Sequence, residues 1–288
     1  MNKSRILKFS IFINIIFIIM FGGLCIWKRN SIYNRIYALK TKAPSEAVLK
    51  TFNNEPLEIA NGTYTSQNLS TDKSISILFL GNSLTRHGIV ENLWDTKGGM
   101  AASSEEKDFV HLLMNKISKE KKTNINYSIT NISTFERAFA SPDFNAAIFN
   151  DWLKNAEVLK NSTPPDFVII QIGENMSRDD VKLNDGQTLK EKYSELLSLF
   201  PSSKKIITLP FWPDRDKNNV ITQVAVENNA VLVDLSHLGI PSGNGMDYEN
   251  FAKSQKHYAN TGVGDHPGDI GMQKIADCLY TVVGNLIQ

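Results

Sequence analysis

The stretch Ser76-Ile-Leu-Phe-Leu-Gly-Asn-Ser-Leu-Thr85 carries the strongest signal of the fold of this chain. It belongs to a largely apolar run, Ile75 to Leu80, which contains β-branched and aromatic side chains and stops at a glycine. Such a run predicts a strand buried inside a parallel sheet. Ser83 then lies at the carboxyl end of the strand, the edge where open α/β sheets bind their ligands. A tight turn there would expose a nucleophilic hydroxyl, although Gly-x-Ser is also typical of an ordinary turn before a helix.

Two later stretches favour the nucleophile. Phe167-Val-Ile-Ile-Gln-Ile-Gly-Glu-Asn175 predicts a second buried strand that ends in Gly-x-Asn, and Gly264-Asp-His-Pro-Gly-Asp-Ile-Gly271 places a histidine just before a C-terminal helix. Turns that carry Ser, Asn and His in this order resemble the SGNH hydrolases, also called the GDSL esterase/lipase family. The corresponding family blocks are block I at Gly81-Asn82-Ser83-Leu84, block III at Gly173-Glu174-Asn175 and block V at His266-Pro267.

From residue 73 onward, short apolar segments alternate with amphipathic ones, as a doubly wound α/β fold requires. The predicted strands are Ile75–Leu80, Ile125–Ile132, Phe167–Ile172, Lys205–Leu209 and Ala230–Leu235, and the predicted helices are 105–121, 143–160, 189–200, 220–228 and 270–287. The resemblance implies a flavodoxin-like three-layer α/β/α sandwich with a five-stranded parallel sheet in the order 2-1-3-4-5.

A serine hydroxyl is a poor nucleophile at neutral pH, so it requires a neighbouring base. His266 is the best candidate, because Pro267 suits the first turn of a helix and the imidazole would project from the preceding loop toward the sheet edge. His87 lies four residues after Ser83 and is a candidate substrate contact. No catalytic role is assigned to His111, His237 and His257. The oxyanion that develops during acyl transfer requires fixed donors, for which the candidates are the Ser83 N–H and the Asn175 side-chain amide.

The chain departs from the family pattern in two places. The block II glycine, a further oxyanion donor, is missing where the second predicted strand runs into Ser133-Thr-Phe-Glu-Arg137. A backbone N–H near Thr134 or Phe135, or the Gly98-Gly99 loop, is the alternative donor. The second departure is Val263, which stands where the family usually has an aspartate three residues before its histidine.

The group that orients His266 is therefore open at this point. Asp265 is the adjacent carboxylate, but neighbouring side chains in an extended loop diverge, which makes it an awkward substitute. Asp269 is more naturally a helix cap. A backbone carbonyl is the other alternative, and it would create a Ser–His dyad with diminished rather than absent catalysis.

Charged and aromatic side chains near the same edge are candidate substrate contacts. Glu136 and Arg137 follow the second predicted strand, where the arginine would hold a polar substrate or the glutamate would form an internal ion pair. Glu174 lies inside block III. Trp94 and Trp212 lie in loops where they would stack on a sugar ring or form cleft walls. No metal or other cofactor is expected, since no cluster of His, Cys, Asp and Glu has ligand spacing.

The N-terminal region carries targeting information rather than fold. Phe9 to Trp27 is 19 residues without a charge, which at helical rise spans a hydrocarbon layer of roughly 30 Å. The expected organisation is a basic segment at 1–8, a transmembrane anchor at 9–27, a juxtamembrane stalk at 28–72 and a hydrolase domain at 73–288. A count of flanking positive charges would place this domain in the cytoplasm. The resemblance, with a small anchor before a hydrolase domain, implies the cell exterior, and we expect the latter.

Charge separates the N-terminal region from the domain. Residues 1–42 contain 8 of the 31 basic side chains and no acidic one, so the remainder carries 23 basic against 30 acidic side chains, a net charge of −7. An acidic domain without a basic groove makes nucleic acid an unexpected partner. The basic residues beside the apolar segment suit lipid headgroups.

The expected function is that of a membrane-anchored serine esterase of the SGNH type. It would remove or transfer an O-acyl group, in particular O-acetyl, on a cell-surface carbohydrate through a Ser83 acyl-enzyme. Val263 and the missing block II glycine favour an alternative, a catalytically degenerate SGNH-fold carbohydrate-binding module at the cell surface.

Overall fold

The computed structural model describes residues 59–90, 94–141, 164–240, 248–255 and 261–287, all within the unit of the chain that runs from Ser45 to Gln288. The expected anchor at Phe9–Trp27, the expected helix at 143–160 and His257 lie outside the described residues. Among the helices of the described ranges, none combines the length and apolar character needed to cross a membrane.

A six-stranded sheet forms the centre of the described structure, with the strand order β1-β3-β2-β4-β5-β6. The strands are β1 (Ile59–Tyr64), β2 (Ser74–Gly81), β3 (Asn124–Asn131), β4 (Phe167–Gln171), β5 (Lys204–Thr208) and β6 (Val231–Val233). From β3 to β6 every pairing is parallel, while β1 is antiparallel to β3. The α/β class and the mostly parallel sheet are therefore confirmed.

The expectation of a five-stranded, wholly parallel sheet is wrong, because the sheet has a sixth, antiparallel strand at one edge. β1 lies within the segment that was expected to be stalk, so the order gains a strand outside β3 and the domain begins before residue 73. Its sequence, Ile-Ala-Asn-Gly-Thr-Tyr, contains no apolar run, since an edge strand has only one neighbour and its central residues are exposed. Inside it, the parallel strands follow one another as β3-β2-β4-β5-β6.

Helices cover both faces of the sheet. They are α1 (Phe109–Lys121), α2 (Ser133–Ala138), α3 (Arg178–Val181), α4 (Gln187–Ser198), α5 (Arg215–Glu227), α6 (Thr261–Gly264) and α7 (Asp269–Leu286). Because successive side chains of a strand point to opposite faces, Leu78 packs in one apolar core and Phe79 in the other. The first core contains α4 and α5 side chains, and the second contains side chains of α1 and α7.

Helix boundaries differ from the predicted ones where side chains cap the helices. Asp108 interrupts the predicted helix 105–121, because its carboxylate accepts the His111 N–H and so starts α1 after a short 3₁₀ turn. Asp214 starts α5 five residues before the predicted start, through the N–H groups of Asp216 and Lys217. The short helix α2 was not predicted.

The strand register determines which turns meet at the carboxyl edge. Gly81 of β2 pairs with Asn131 of β3 on one side and with Gln171 of β4 on the other. The turns that follow these three residues therefore lie side by side, although they are far apart in the chain. They contain Ser83, the start of α2, and the Gly173–Asn175 segment.

Candidate active site

Ser83 lies in a turn that Asn82 organises. The Asn82 carbonyl accepts the Thr85 and Arg86 N–H groups, each at 3.0 Å, and its side-chain oxygen accepts the Leu84 N–H at 3.1 Å. Asn82 is buried whereas Ser83 is partly exposed. The turn consequently presents the serine hydroxyl outward from a backbone that is held from inside.

The Ser83 hydroxyl contacts an imidazole that lies 183 residues further along the chain. Ser83 Oγ is 3.0 Å from His266 Nε2, and His266 Nδ1 is 2.8 Å from the carbonyl oxygen of Gly262. A carbonyl can only accept, so Nδ1 carries the proton and Nε2 is left to accept from the serine hydroxyl. The two side chains have the arrangement of a nucleophile and its general base.

Asp265 does not orient this imidazole, which corrects its assignment as a catalytic candidate. Its carboxylate accepts from Lys253 Nζ at 2.5 Å, while the Gly262 carbonyl occupies His266 Nδ1. The reason is that adjacent side chains point in different directions. Of the alternatives open from the sequence, the backbone carbonyl is the one that the structure places at the imidazole.

Val263 and Trp94 lie together in an apolar cluster instead of in the cleft. The cluster contains Trp94, Met100, Ala101, Ala252 and Val263, and the exposed fractions of Trp94 and Val263 are 2% and 5%. Trp94 is therefore corrected from a substrate contact to a core residue. Its large apolar surface is removed from water by packing within this cluster.

Val263→Asp is expected to destabilise the protein without raising activity. A carboxylate at this position would be buried among apolar side chains, and His266 Nδ1 already has an acceptor. Urea unfolding should show a loss of about 2–4 kcal/mol. The matched control is Val226→Asp, whose parent side chain is 77% exposed and whose effect should stay within about 0.5 kcal/mol. A variant of unchanged stability and higher kcat would instead show that the carboxylate reaches the imidazole.

The pKa of His266 is lowered to about 4, first by burial and then by the nearby His87. The Gly262 carbonyl and Asp265 oppose this shift without overcoming it. The imidazole is therefore neutral at physiological pH, as a general base must be, although it is a weaker base than one paired with a carboxylate.

Two donors are available for an oxyanion beside Ser83. Within the described residues the Ser83 N–H donates to no protein acceptor. The Asn175 amide donates one hydrogen to Glu136 Oε2 at 2.7 Å, which leaves its second hydrogen free. Both groups belong to turns that the strand register brings together.

The structure also distinguishes among the alternatives for a third donor. Phe135 N–H is occupied by the Ile132 carbonyl at 2.8 Å, and Gly99 N–H is occupied by Asp108 Oδ2 at 3.1 Å. Thr134 N–H, in the first turn of α2, has no protein acceptor among the described residues. The Gly98-Gly99 loop packs against the nucleophile turn instead, since Met100 N–H donates to the Ser83 carbonyl at 2.7 Å.

Glu136 and Glu174 lie behind the site as structural groups, which corrects their assignment as substrate contacts. Glu136 is fully buried and accepts N–H groups of Gly173, Asn175 and Asn82. Glu174 accepts from Asn82 Nδ2 at 2.6 Å and from the Phe211 N–H at 2.8 Å. Burial raises the pKa of both carboxyls, and the charge of Glu174 raises that of Glu136 further.

Arg137 is exposed and donates to the Ser133 hydroxyl at 3.0 Å. Among the described residues, Glu136 bonds to backbone and amide N–H groups and not to a basic side chain, so the alternative of an internal ion pair is wrong. The positive charge beside the two acids comes from Lys217, which is buried and donates to the Gly173 carbonyl at 2.7 Å. Burial lowers the pKa of Lys217, and Glu174 opposes that shift.

His87 and Trp212 lie next to the imidazole. The rings of Trp212 and His266 meet edge to face with their centroids 5.2 Å apart, and Trp212 is partly exposed. His87 is close enough to influence the pKa of His266, and its Nδ1 bonds to the Gly88 carbonyl at 2.7 Å. Both residues are therefore neighbours of the candidate base.

Asn82, Lys217 and Gly262 belong to this site, although no role was expected for them from the sequence. Asn82 had a signal, since it directly precedes the candidate nucleophile in a turn. Lys217 had only a weak one, a lysine early in an amphipathic helix, and Gly262 acts through a carbonyl that every residue possesses. Within the described ranges, no group of three or more His, Cys, Asp and Glu side chains could hold a metal ion.

No protein-family model and no curated protein matches the sequence. Solved structures are similar to it at low identity. A protein from Parabacteroides merdae described as a GDSL-like lipase covers 75% of this chain and 98% of its own, with 15% identity and a TM-score of 0.47. The acetyl xylan esterase AlAXEase covers 73% and 100%, with 16% identity and a TM-score of 0.44. The Clostridium thermocellum family 3 carbohydrate esterase covers 75% and 98%, with 19% identity and a TM-score of 0.44. Similarity at this level assigns no function to the chain.

Proposed function

We propose that this protein is a serine esterase of the SGNH type that forms an acyl-enzyme at Ser83. The contact that supports this proposal most directly is the 3.0 Å distance between Ser83 Oγ and His266 Nε2. The imidazole is held in the correct tautomer by Gly262 and is neutral at physiological pH. A partly exposed serine beside a neutral, oriented base is the minimum that nucleophilic acyl transfer requires.

In the proposed reaction, Ser83 Oγ attacks the ester carbonyl while His266 Nε2 accepts the hydroxyl proton. The Ser83 N–H and the free hydrogen of the Asn175 amide stabilise the oxyanion. His266 then gives the proton to the departing alcohol, which leaves Ser83 acylated. Water resolves the acyl-enzyme in a hydrolase, and a sugar hydroxyl resolves it in a transferase, with His266 acting as base again.

We infer an acylated carbohydrate, in particular an O-acetylated one, as the substrate class. Trp212 supports this inference, because a partly exposed indole beside the base is suited to a sugar ring. We also propose that residues 9–27 anchor the chain in the cell membrane and that the catalytic domain lies outside. The uncharged 19-residue stretch supports the anchor, and protease treatment of intact cells would identify the exposed side.

Covalent labelling tests the function directly. The full-length protein in mild detergent should react with a fluorophosphonate probe and hydrolyse p-nitrophenyl acetate, and Ser83→Ala should abolish both. Ser236→Ala is the matched control, because Ser236 follows β6 at the same edge and bonds to Asp234. Absence of labelling and turnover that depend on Ser83 would favour the binding module.

The pH dependence of kcat/KM should show a limb that belongs to His266. Its neutral form is the base, so activity should be lost as pH falls through a pKa of about 4. An unperturbed histidine would produce the same loss near pH 6.5. Background-corrected hydrolysis measured from pH 3.5 to 9 checks this. A loss of activity at pH 6 to 7 that remains after Glu136 or Glu174 has been replaced would contradict it.

A further inference from the structure

Glu136 is a fully buried carboxylate, and its hydrogen-bond partners among the described residues are all N–H donors. Its Oε1 accepts from Gly173 N at 2.6 Å, Asn175 N at 3.1 Å and Asn82 Nδ2 at 3.3 Å. Its Oε2 accepts from Asn175 Nδ2 at 2.7 Å. A protonated carboxyl would require an acceptor in this shell, and none of these four partners is one.

This arrangement determines how the Asn175 amide is presented. An amide nitrogen has two hydrogens, and the bond to Glu136 Oε2 uses one of them. The other hydrogen is thereby directed away from Glu136. The same carboxylate holds the backbone N–H of Asn175, so the side chain and the main chain of this residue share one anchor.

The anchor extends to both turns of the site. Glu136 holds the N–H of Gly173, whose carbonyl is held by Lys217 and whose φ of +131° only glycine adopts readily. Through Asn82 Nδ2 the carboxylate also reaches the residue that organises the nucleophile turn. A single buried carboxylate therefore bonds to both turns, most closely to the Gly173–Asn175 segment.

We propose that ionised Glu136 is the positioning residue of the oxyanion site, which aims the Asn175 amide at the reacting carbonyl and keeps it in register with Ser83. This inference rests on the proposed esterase function and deepens it. Glu136 does not touch the substrate, and its effect passes through Asn175. Glu136 lies in α2, directly after β3. This is the strand after which the family's block II glycine would be expected.

The charges around Glu136 determine when it is ionised. Glu174 shares Asn82 Nδ2 with it, Lys217 supplies a nearby positive charge, and Tyr193 lies on the α4 side. Burial and Glu174 raise the pKa of Glu136 to about 7. Below that pH the carboxyl gains a proton and one N–H bond must break, so kcat should fall as pH drops through about 7, well above the His266 limb.

The test is a double-mutant cycle with p-nitrophenyl acetate on the full-length protein. Glu136→Gln should lower kcat about 100-fold, the cost typical of a lost oxyanion donor, and change KM less than threefold. Asn175→Ala should lower kcat similarly. Adding Glu136→Gln to Asn175→Ala should change kcat less than twofold, because the effect passes through the missing amide. The matched control is Asp166→Asn, a carboxylate that holds the Ser76 N–H at the opposite end of β2 and should leave kcat unchanged.

Two readouts keep the inference falsifiable if Glu136→Gln folds poorly. Thermal unfolding reports the folding of each variant, and the limb near pH 7 should be absent from Asn175→Ala, which retains Glu136. Multiplicative losses in the double variant, or a limb near pH 7 that survives in Asn175→Ala, would overturn the inference. Failure of the proposed function is a different result, since the wild-type protein would then show no turnover that depends on Ser83.

Discussion

Replacing His266 by alanine is expected to lower kcat for p-nitrophenyl acetate by about 10³-fold or more, because the serine hydroxyl loses the base that is positioned beside it. The loss should be smaller than in enzymes whose histidine is paired with an aspartate, since a carbonyl stabilises the imidazolium less. Labelling by a fluorophosphonate should slow in parallel, and KM should change little. Stopped and continuous spectrophotometric assays over a range of substrate concentrations measure both constants.

His237→Ala is the matched control for this prediction. His237 follows β6 at the same edge of the sheet, and its side chain is exposed, so its replacement should leave kcat within about twofold of wild type. Added imidazole should restore part of the activity of His266→Ala and none of that of Ser83→Ala. Wild-type turnover by His266→Ala would exclude the imidazole as the base.

The second large effect concerns stability, and it is expected from Gly81→Ala. A Cβ atom at residue 81 would lie 1.8 Å from Thr85 Oγ1, 2.5 Å from Thr85 Cβ and 3.1 Å from the Gln171 carbonyl oxygen. Thr85 cannot move away freely, because it is buried and donates to Gln171 Oε1 at 3.0 Å. We expect the free energy of unfolding to fall by about 3 kcal/mol or more, as urea denaturation would show.

Gly284→Ala provides the control for this steric argument. The three atoms nearest to its new Cβ would all belong to the ring of Tyr280, the first of them at 2.9 Å. Alanine is also the better helix former by about 1 kcal/mol, so the net change should be small. Adding Thr85→Ala to Gly81→Ala should recover only part of the stability, since the Thr85 Cβ position is itself too close. Full stability of Gly81→Ala would show that the nucleophile turn is not confined as described.

The strands at the centre of the sheet could be predicted because their own residues show that they are buried. Residues of β2 and β4 form nearly continuous apolar runs, because a strand that is covered on both faces buries the side chains of both. β1 could not be predicted in this way. It is an edge strand with exposed central residues, and its pairing with β3 depends on a segment more than 60 residues away.

The same contrast applies to the site. Ser83 and His266 could be proposed because each stands in a turn with a recognisable local pattern. The roles of Glu136, Trp94 and Asp265 could not, because the sequence shows a carboxylate or an indole without showing what surrounds it. Glu136 becomes a buried acceptor only through Gly173 and Asn175, and Trp94 becomes a core residue only through its packing with Val263.

Local patterns in the chain were therefore enough to predict the α/β class, the strands that build the carboxyl edge and the turns that carry the candidate serine, amide and imidazole. These properties follow from hydrophobic periodicity and turn chemistry, which act over a few neighbouring residues. Three features emerged from the folded chain alone: a carbonyl orients His266, an acid network supports Asn175, and a sixth strand pairs with β3 at one edge. Each of these depends on contacts between segments distant in the chain, where burial and partner geometry set what a side chain can do.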